Sequence, residues 1–267
     1  MSARSAEGRE ERHHGVGPPD RTAGLPDRTA GLPDRTAGRV VVRPTREEDF
    51  APIIALCERV YPGSLPYGTD QLASHLDVFP EGQLTAVDVR PDGAERVVGM
   101  AASLIVLWDD YEIDLRWRHF TASGYFTNHD ASGRTLYGAE VMVDPHLQGR
   151  GVGSAIYRAR DTLLERLGLR RVRAGARLRG YHAYAELMAP EEYAEKVVRD
   201  EIRDPTLSFQ LHRGFRVISV VSGYLPNDAE SLGYAALIEK LNPELAPAED
   251  GEKGDPRYRA APVPSAG

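Results

Sequence analysis

Cysteine is almost missing from this chain. Cys57 is the only one in 267 residues, so no intramolecular disulfide and no cysteine-rich zinc site can form. Lysine is nearly as scarce: Lys196, Lys240 and Lys253 stand alone, and arginine carries the rest of the positive charge. The net charge of −7 gives no electrostatic footprint for nucleic acid. The longest apolar run, Val97 to Trp108, falls short of the roughly 20 residues a bilayer span needs. The N-terminus is charged and has no apolar h-region, so it does not read as a secretory signal. Together these absences point to a soluble, cytoplasmic protein with neither a nucleic-acid nor a membrane partner.

Core-forming pattern is also missing at both ends. Residues 1–38 are polar and rich in Gly, Pro and Arg. Asp20-Arg21-Thr22-Ala23-Gly24-Leu25-Pro26 recurs as Asp27 to Pro33 and restarts at Asp34. Each unit carries Pro, Gly and one large apolar residue, which excludes a coiled-coil heptad. We expect residues 1–38 to be a disordered extension and 246–267 to be a disordered, Pro- and charge-rich tail. That leaves 39–245 as a single domain, large enough to bury a core.

What is there centres on Val141-Met142-Val143-Asp144-Pro145-His146-Leu147-Gln148-Gly149-Arg150-Gly151-Val152-Gly153-Ser154. Val141 and Val143 suit a strand, and Asp144-Pro145 stops it with turn chemistry. Gly149, Gly151 and Gly153 alternate, so backbone N–H groups can point into one concavity. A helical pattern follows through Ile156, Leu163, Leu164 and Leu167, and its N-terminus favours negative charge at the same spot. A phosphate site fits this design; a Gly-rich turn without a ligand is the alternative. The loop has no Gly-Lys-Ser/Thr, and Ser154 stands where a dinucleotide fingerprint needs its third Gly.

Along the chain, Val40-Val41-Val42 reads as a strand. Thr45 with Glu48 reads as a capping box for a helix through Ile53, Leu56 and Val60, closed by Pro62-Gly63. A second helix is expected over Thr69 to Val78, then strands over Gln83 to Arg90 and Val97 to Trp108. Thr135 to Val143 is the central strand. Arg171 to Leu178 alternates arginine with small residues except at Gly175, so it reads as a strand with an arginine-rich face. That face could meet phosphates or an acidic acceptor, or simply be solvated. A short helix over Pro205 to Arg213 ends in Gly214-Phe215, and strands follow at Arg216 to Val221 and Gly233 to Leu241. Two long insertions remain, 109–134 and 180–204. Long connections are often functional, and both carry aromatics (Trp117, Phe120, Tyr125, Phe126, Tyr181, Tyr184). We expect them to lie together over an acceptor pocket, the alternative being that they cover separate sheet edges. His119 and His129 have no metal-ligand spacing.

The string Gln148-Gly149-Arg150-Gly151-Val152-Gly153, with Val-Asp-Pro before it and an amphipathic helix after it, resembles the Gln/Arg-x-x-Gly-x-Gly/Ala loop of the GCN5-related N-acetyltransferase (GNAT) family. The helix ending in Gly214-Phe215 resembles the family too. Gly180-Tyr181-His182-Ala183-Tyr184, Pro190-Glu191-Glu192-Tyr193, Asp204-Pro205-Thr206-Leu207-Ser208-Phe209-Gln210-Leu211 and Tyr224-Leu225-Pro226-Asn227-Asp228 with Glu230-Ser231-Leu232-Gly233-Tyr234 are similar to a subgroup. In that subgroup the acetyltransferase domain is fused elsewhere to a carbon-nitrogen hydrolase. The resemblance implies a single α/β domain with a mixed, mostly antiparallel sheet of about seven strands flanked by helices.

The resemblance also implies a function: acetyl transfer from acetyl-CoA, the cosubstrate, to a small-molecule or protein amine, directly within a ternary complex. Gln148, Gly149, Arg150, Gly151, Val152, Gly153 and Ser154 would hold the pyrophosphate. Backbone N–H groups of Val141, Met142 and Val143 would hold the pantetheine and polarise the carbonyl. A carboxylate on the central strand or the next serves as base in many members; only Glu140 qualifies, unless it is merely paired with an arginine. Many members place a Tyr acid four residues before the Gly of Gly-Phe. Gln210 stands there and cannot serve as an acid, so Tyr181, Tyr184 or Tyr224 must replace it, or thiolate leaves without one. A non-catalytic acyl-CoA-binding or regulatory module is the alternative reading. The sequence leaves the acceptor and the oligomeric state open.

Overall fold

The structure, a computed structural model, describes residues 39–62, 67–108 and 116–259. The expected extension over 1–38, the helix stop at Pro62-Gly63 in part, and the start of the first insertion lie outside the described residues. Strands form at β1 Arg39–Pro44, β2 Leu84–Val89, β3 Glu95–Val106, β4 Thr135–Val143, β5 Arg171–Arg177, β6 Arg216–Val221 and β7 Ala235–Leu241. They make one sheet in the order β1-β2-β3-β4-β5-β7-β6. Only the β4–β5 pair is parallel, because the helical crossover between them carries the chain back to the same end.

The two faces of the sheet bury different helices. Side chains alternate along a strand, so Leu136 joins one cluster and Tyr137 the other. The Tyr137 face packs α1 (Phe50–Val60), α2 (Thr69–Val78) and the short α3 (Trp117–Phe120) through Ile53, Leu56, Leu72 and Phe120. The Leu136 face packs α4 (Val152–Arg166), α5 (Pro190–Val198) and α6 (Leu207–Leu211) through Leu163, Leu164, Tyr193, Val197 and Leu207. Among the described residues no helix is long and apolar enough to cross a membrane.

Three expectations are corrected. Thr45 does not cap α1: its hydroxyl bonds that of Thr85 at 2.9 Å. A 3-10 turn over Glu47–Asp49 precedes the helix instead, with the Asp49 carboxylate accepting from the Arg46 N–H at 2.9 Å. The domain also does not end at residue 245. The chain continues through 3-10 turns at Ala248–Glu252 and Pro256–Tyr258, and buries Asp250 and Tyr258. The arginine face of β5 is neither solvated nor free for phosphate. Arg171 pairs with Glu239 (3.2 Å) and Asp250 (2.5 Å), and Arg173 pairs with Glu239 (2.7 Å), all buried. The acids that neutralise it come from β7 and from the segment read as a tail.

Candidate active site

The site begins where two strands part. β4 and β5 pair only at Thr135↔Arg171, Leu136↔Val172 and Tyr137↔Arg173. β5 then stays with β7 as far as Arg177↔Ala235, while β4 stays with β3 up to Gly99↔Val143. A bulge marks the parting. Ser103 faces Gly138 and Ala102 faces Glu140, leaving Ala139 extra. Such an insertion bends its strand and re-aims the next side chain, which here is Glu140.

Glu140 is half-buried on the α1 face. Its Oε1 accepts from the Tyr61 hydroxyl at 2.8 Å, at the end of α1, and from the Val141 N–H at 2.9 Å. Burial pushes its carboxyl above the usual range, partly offset by those two hydrogen bonds and by Arg177 and Arg160. Among the described residues no arginine pairs with its carboxylate; Arg177 is held by Asp228 (2.6 Å) and Glu230 (2.9 Å). Tyr67 lies nearby with its hydroxyl buried and unpartnered. The Tyr224 and Tyr137 hydroxyls bond each other. Tyr224 reaches that place because β5 has Gly175 beneath it; a Cβ there would land on the Tyr224 ring.

The strand N–H groups separate by parity. Asp144 N–H donates to Val98 O at 2.9 Å, so alternate residues Met142 and Glu140 also direct their N–H groups to β3. Val141 and Val143 direct theirs toward the side β5 has vacated. Val141 is capped by Glu140, which leaves Val143 as the open donor; Met142, named with them from sequence, points the other way.

The loop follows at the end of β4. The buried Asp144 accepts from the His146 N–H at 3.0 Å and from Arg96 at 3.0 Å, with Arg59 at 3.5 Å. Burial opposes its ionisation, but those partners outweigh it and hold the carboxyl below the usual range. Gly149 (φ +77°) and Gly151 (φ +85°) take the left-handed backbone that glycine favours, and a Cβ on either would meet nothing within 4 Å. In the loop Arg150 N–H bonds Leu147 O (3.3 Å) and Ala155 N–H bonds Gly151 O (2.9 Å). The N–H groups of Gln148, Gly149, Gly151, Val152, Gly153 and Ser154 have no partner among the described residues. Orphaned donors at a helix N-terminus suit a diphosphate. Arg213, which sequence reasoning passed over, adds a guanidinium bonded to the Ser154 hydroxyl. The cradle fits the phosphates of CoA.

Among the described residues the two insertions do not meet over one pocket. Aromatics of the first (Trp117, Phe120, Phe126) pack into the α1–α2 face, and those of the second (Tyr181, Tyr184) into the α4–α6 face. Each instead touches the β6–β7 connection: Trp117 N–H donates to Tyr224 O at 3.3 Å, and His182 N–H to Glu230 O at 3.3 Å. That connection, whose Tyr224 is one of the candidate acids, supplies Tyr224, Asp228 and Glu230 beside the gap. Tyr181 donates to Met188 O (3.1 Å) and Tyr184 packs on Tyr193, so neither stands near Glu140. Gln210 Nε2 donates to the Tyr157 hydroxyl at 2.9 Å.

A seven-stranded mixed sheet whose two parallel strands part, followed by a glycine-rich loop that opens a helix, is a GNAT-like α/β fold. The sequence model of the Acetyltransferase (GNAT) family matches residues 58–187. The uncharacterized N-acetyltransferase YkwB of Bacillus subtilis (strain 168) is 35% identical over 207 residues, 76% of this chain and 89% of that protein. The probable hydrolase YhcX of the same organism is 39% identical over 211 residues; this is 79% of the present chain but 40% of YhcX. The GphF GNAT-like decarboxylase in complex with isobutyryl-CoA superposes with TM-score 0.60 at 23% identity, over 75% of this chain and 98% of that one. The loading GNATL domain of CurA from Lyngbya majuscula superposes with TM-score 0.61 at 22% identity, over 76% and 98%.

The chain belongs to the GNAT acetyltransferase family. It is an acyltransferase.

Proposed function

We propose that the protein moves an acetyl group directly to an amine acceptor in a ternary complex, with Glu140 as the base. The observation that carries this is the position of Glu140: the bulge at Ala139 sets its carboxylate beside the gap between β4 and β5, in surroundings that raise its pKa. A base poised nearer neutrality takes an amine proton more readily than an ordinary carboxylate. The unpartnered N–H groups of Gln148, Gly149, Gly151, Val152, Gly153 and Ser154, with Arg150 and Arg213 beside them, would bind the CoA phosphates. Acetyl-CoA supplies the activated acyl group. The Val143 N–H would face its carbonyl, and donors aimed at developing negative charge lower a barrier. Tyr61 holds Glu140 in place, and Tyr67, Tyr137 and Tyr224 border the acceptor side. Either a small amine or a protein amine suits these groups. The reaction should run where the domain stands, in the cytoplasm.

Thiol release from acetyl-CoA over a panel of amines, with mass detection of the acetylated product, tests the reading. Amine-dependent thiol release with a product gaining one acetyl group is the expected result. Tight acetyl-CoA binding without turnover on any amine would favour a binding module instead.

A further inference from the structure

Arg160 is the most anomalous side chain in the molecule. It lies in the middle of α4, is 2% exposed, and no carboxylate among the described residues pairs with it. Its Nη2 donates only to backbone carbonyls, Glu140 O at 2.9 Å and Ala102 O at 3.3 Å. Its Nε has no partner. A buried cation without a counter-ion is costly and is normally paired. The chain nonetheless makes room for it: Nη1 lies 2.8 Å from where a Cβ on Gly138 would sit. Gly138 is the first β4 residue past the last β4–β5 pair. The guanidinium therefore fills the apex of the gap from the α4 face, with donors to spare.

Resting on the acetyltransferase reading above, we propose that Arg160 is a catalytic residue whose positive charge stabilises the thiolate leaving CoA, so that no side-chain acid is needed. In this step the amine nitrogen bonds to the acetyl carbon and the amine proton passes to Glu140. The carbon–sulfur bond breaks with its electron pair on sulfur, and the thiolate pairs with Arg160 until it leaves and takes a proton from solvent. This accounts for Gln210, which cannot donate a useful proton. It also gives the buried charge a partner, supplied by the reaction rather than by the fold. The other charged or titratable groups near Arg160 are Tyr157 and Asp161 on α4 and Glu140 on β4. Asp161 is occupied by Lys240 at 2.8 Å, and Tyr157 accepts from Gln210 of α6.

The test is a titration of CoA bound to the full-length protein, following thiolate absorbance in the ultraviolet. A free thiol titrates near ~8.5. In the wild-type complex the bound thiol should titrate at least about one unit lower. In Arg160→Met it should return to the free value or above, while Arg160→Lys keeps part of the shift. Turnover with an amine should fall in the same order, with KM for acetyl-CoA little changed. An identical bound-thiol titration in wild type and a folded, CoA-binding Arg160→Met overturns the proposal. Should the Met variant not fold, a wild-type bound thiol at or above the free value overturns it alone. If CoA fails to bind the wild type in calorimetry, the acetyltransferase reading itself falls, and this inference with it.

Discussion

The two faces of the sheet meet the gap differently. Each admits one large polar side chain through a glycine: Gly175 on β5 gives way to Tyr224 on the α1 face, and Gly138 on β4 gives way to Arg160 on the α4 face. The α1 face gathers oxygen, with Glu140, Tyr61, Tyr67, Tyr137 and Tyr224 around one carboxylate. The α4 face brings positive charge and orphaned N–H groups at the opening of its helix. A reaction in the gap that sheds a proton and a negative leaving group would find a base on one side and cations on the other. In the proposed reaction the sheet would divide the labour, because alternation along β4 sends neighbouring residues to opposite faces.

The comparison can be broken at its strongest point first. Glu140→Gln should lower turnover by about 10²–10⁴-fold while acetyl-CoA affinity, set on the other face, barely moves. Steady-state rates and calorimetry check both halves; unchanged turnover at saturating amine would leave Glu140 a structural residue.

Next comes the stability of the α1 face in acid. His75 is buried there, stacked on Phe126 at 3.7 Å and bonded to Gly124 O at 2.7 Å. Burial lowers its pKa from 6.5 to about 4. The unfolded chain takes up this proton first, so stability is lost as pH falls from about 6.5 through about 4. The loss should approach about 3 kcal/mol, read as falling melting temperature, and His75→Gln should flatten that slope.

A smaller effect is expected from Gly175→Ala. The new methyl collides with Tyr224, and overpacking of this kind costs about 1–3 kcal/mol. Activity should fall with it through displacement of Tyr224, whereas acetyl-CoA binding should persist.

On the α4 side, Gly151→Ala is best compared with Gly93→Ala. Both positions hold φ near +84° to +85° in open space, so both substitutions carry the same backbone strain, about 1 kcal/mol. Only Gly151→Ala should weaken acetyl-CoA, by about tenfold or more. Equal affinities would place the phosphates elsewhere. The smallest effect is none: a chain starting at Arg39 should melt with the full-length protein, because residues 1–38 lack core-forming pattern.

Much of this was legible in the residues. Thr69–Val78, Thr135–Val143 and Arg216–Val221 fall on the expected boundaries, since β-branched runs and caps are local signals. The left-handed backbone at Gly149 and Gly151 goes with the alternating glycines, another local signal. Arg160 was not, because an arginine on an amphipathic helix reads as a solvated residue until Gly138 is seen beneath it. Tyr61 bonds Glu140, and Tyr67 and Tyr224 gather near it, from three separate segments, which no spacing reveals. The arginines of β5 misled through their alternation, since the acids that neutralise them lie at 239 and 250.

The most direct test of the account is the pH dependence of kcat/KM for the amine, measured side by side for the wild type and Glu140→Gln. The wild-type profile should rise on its acid limb with an apparent pKa above the ordinary carboxylate range, and Glu140→Gln should lose that limb while retaining the one set by the amine. An acid limb that persists unchanged in Glu140→Gln would contradict it.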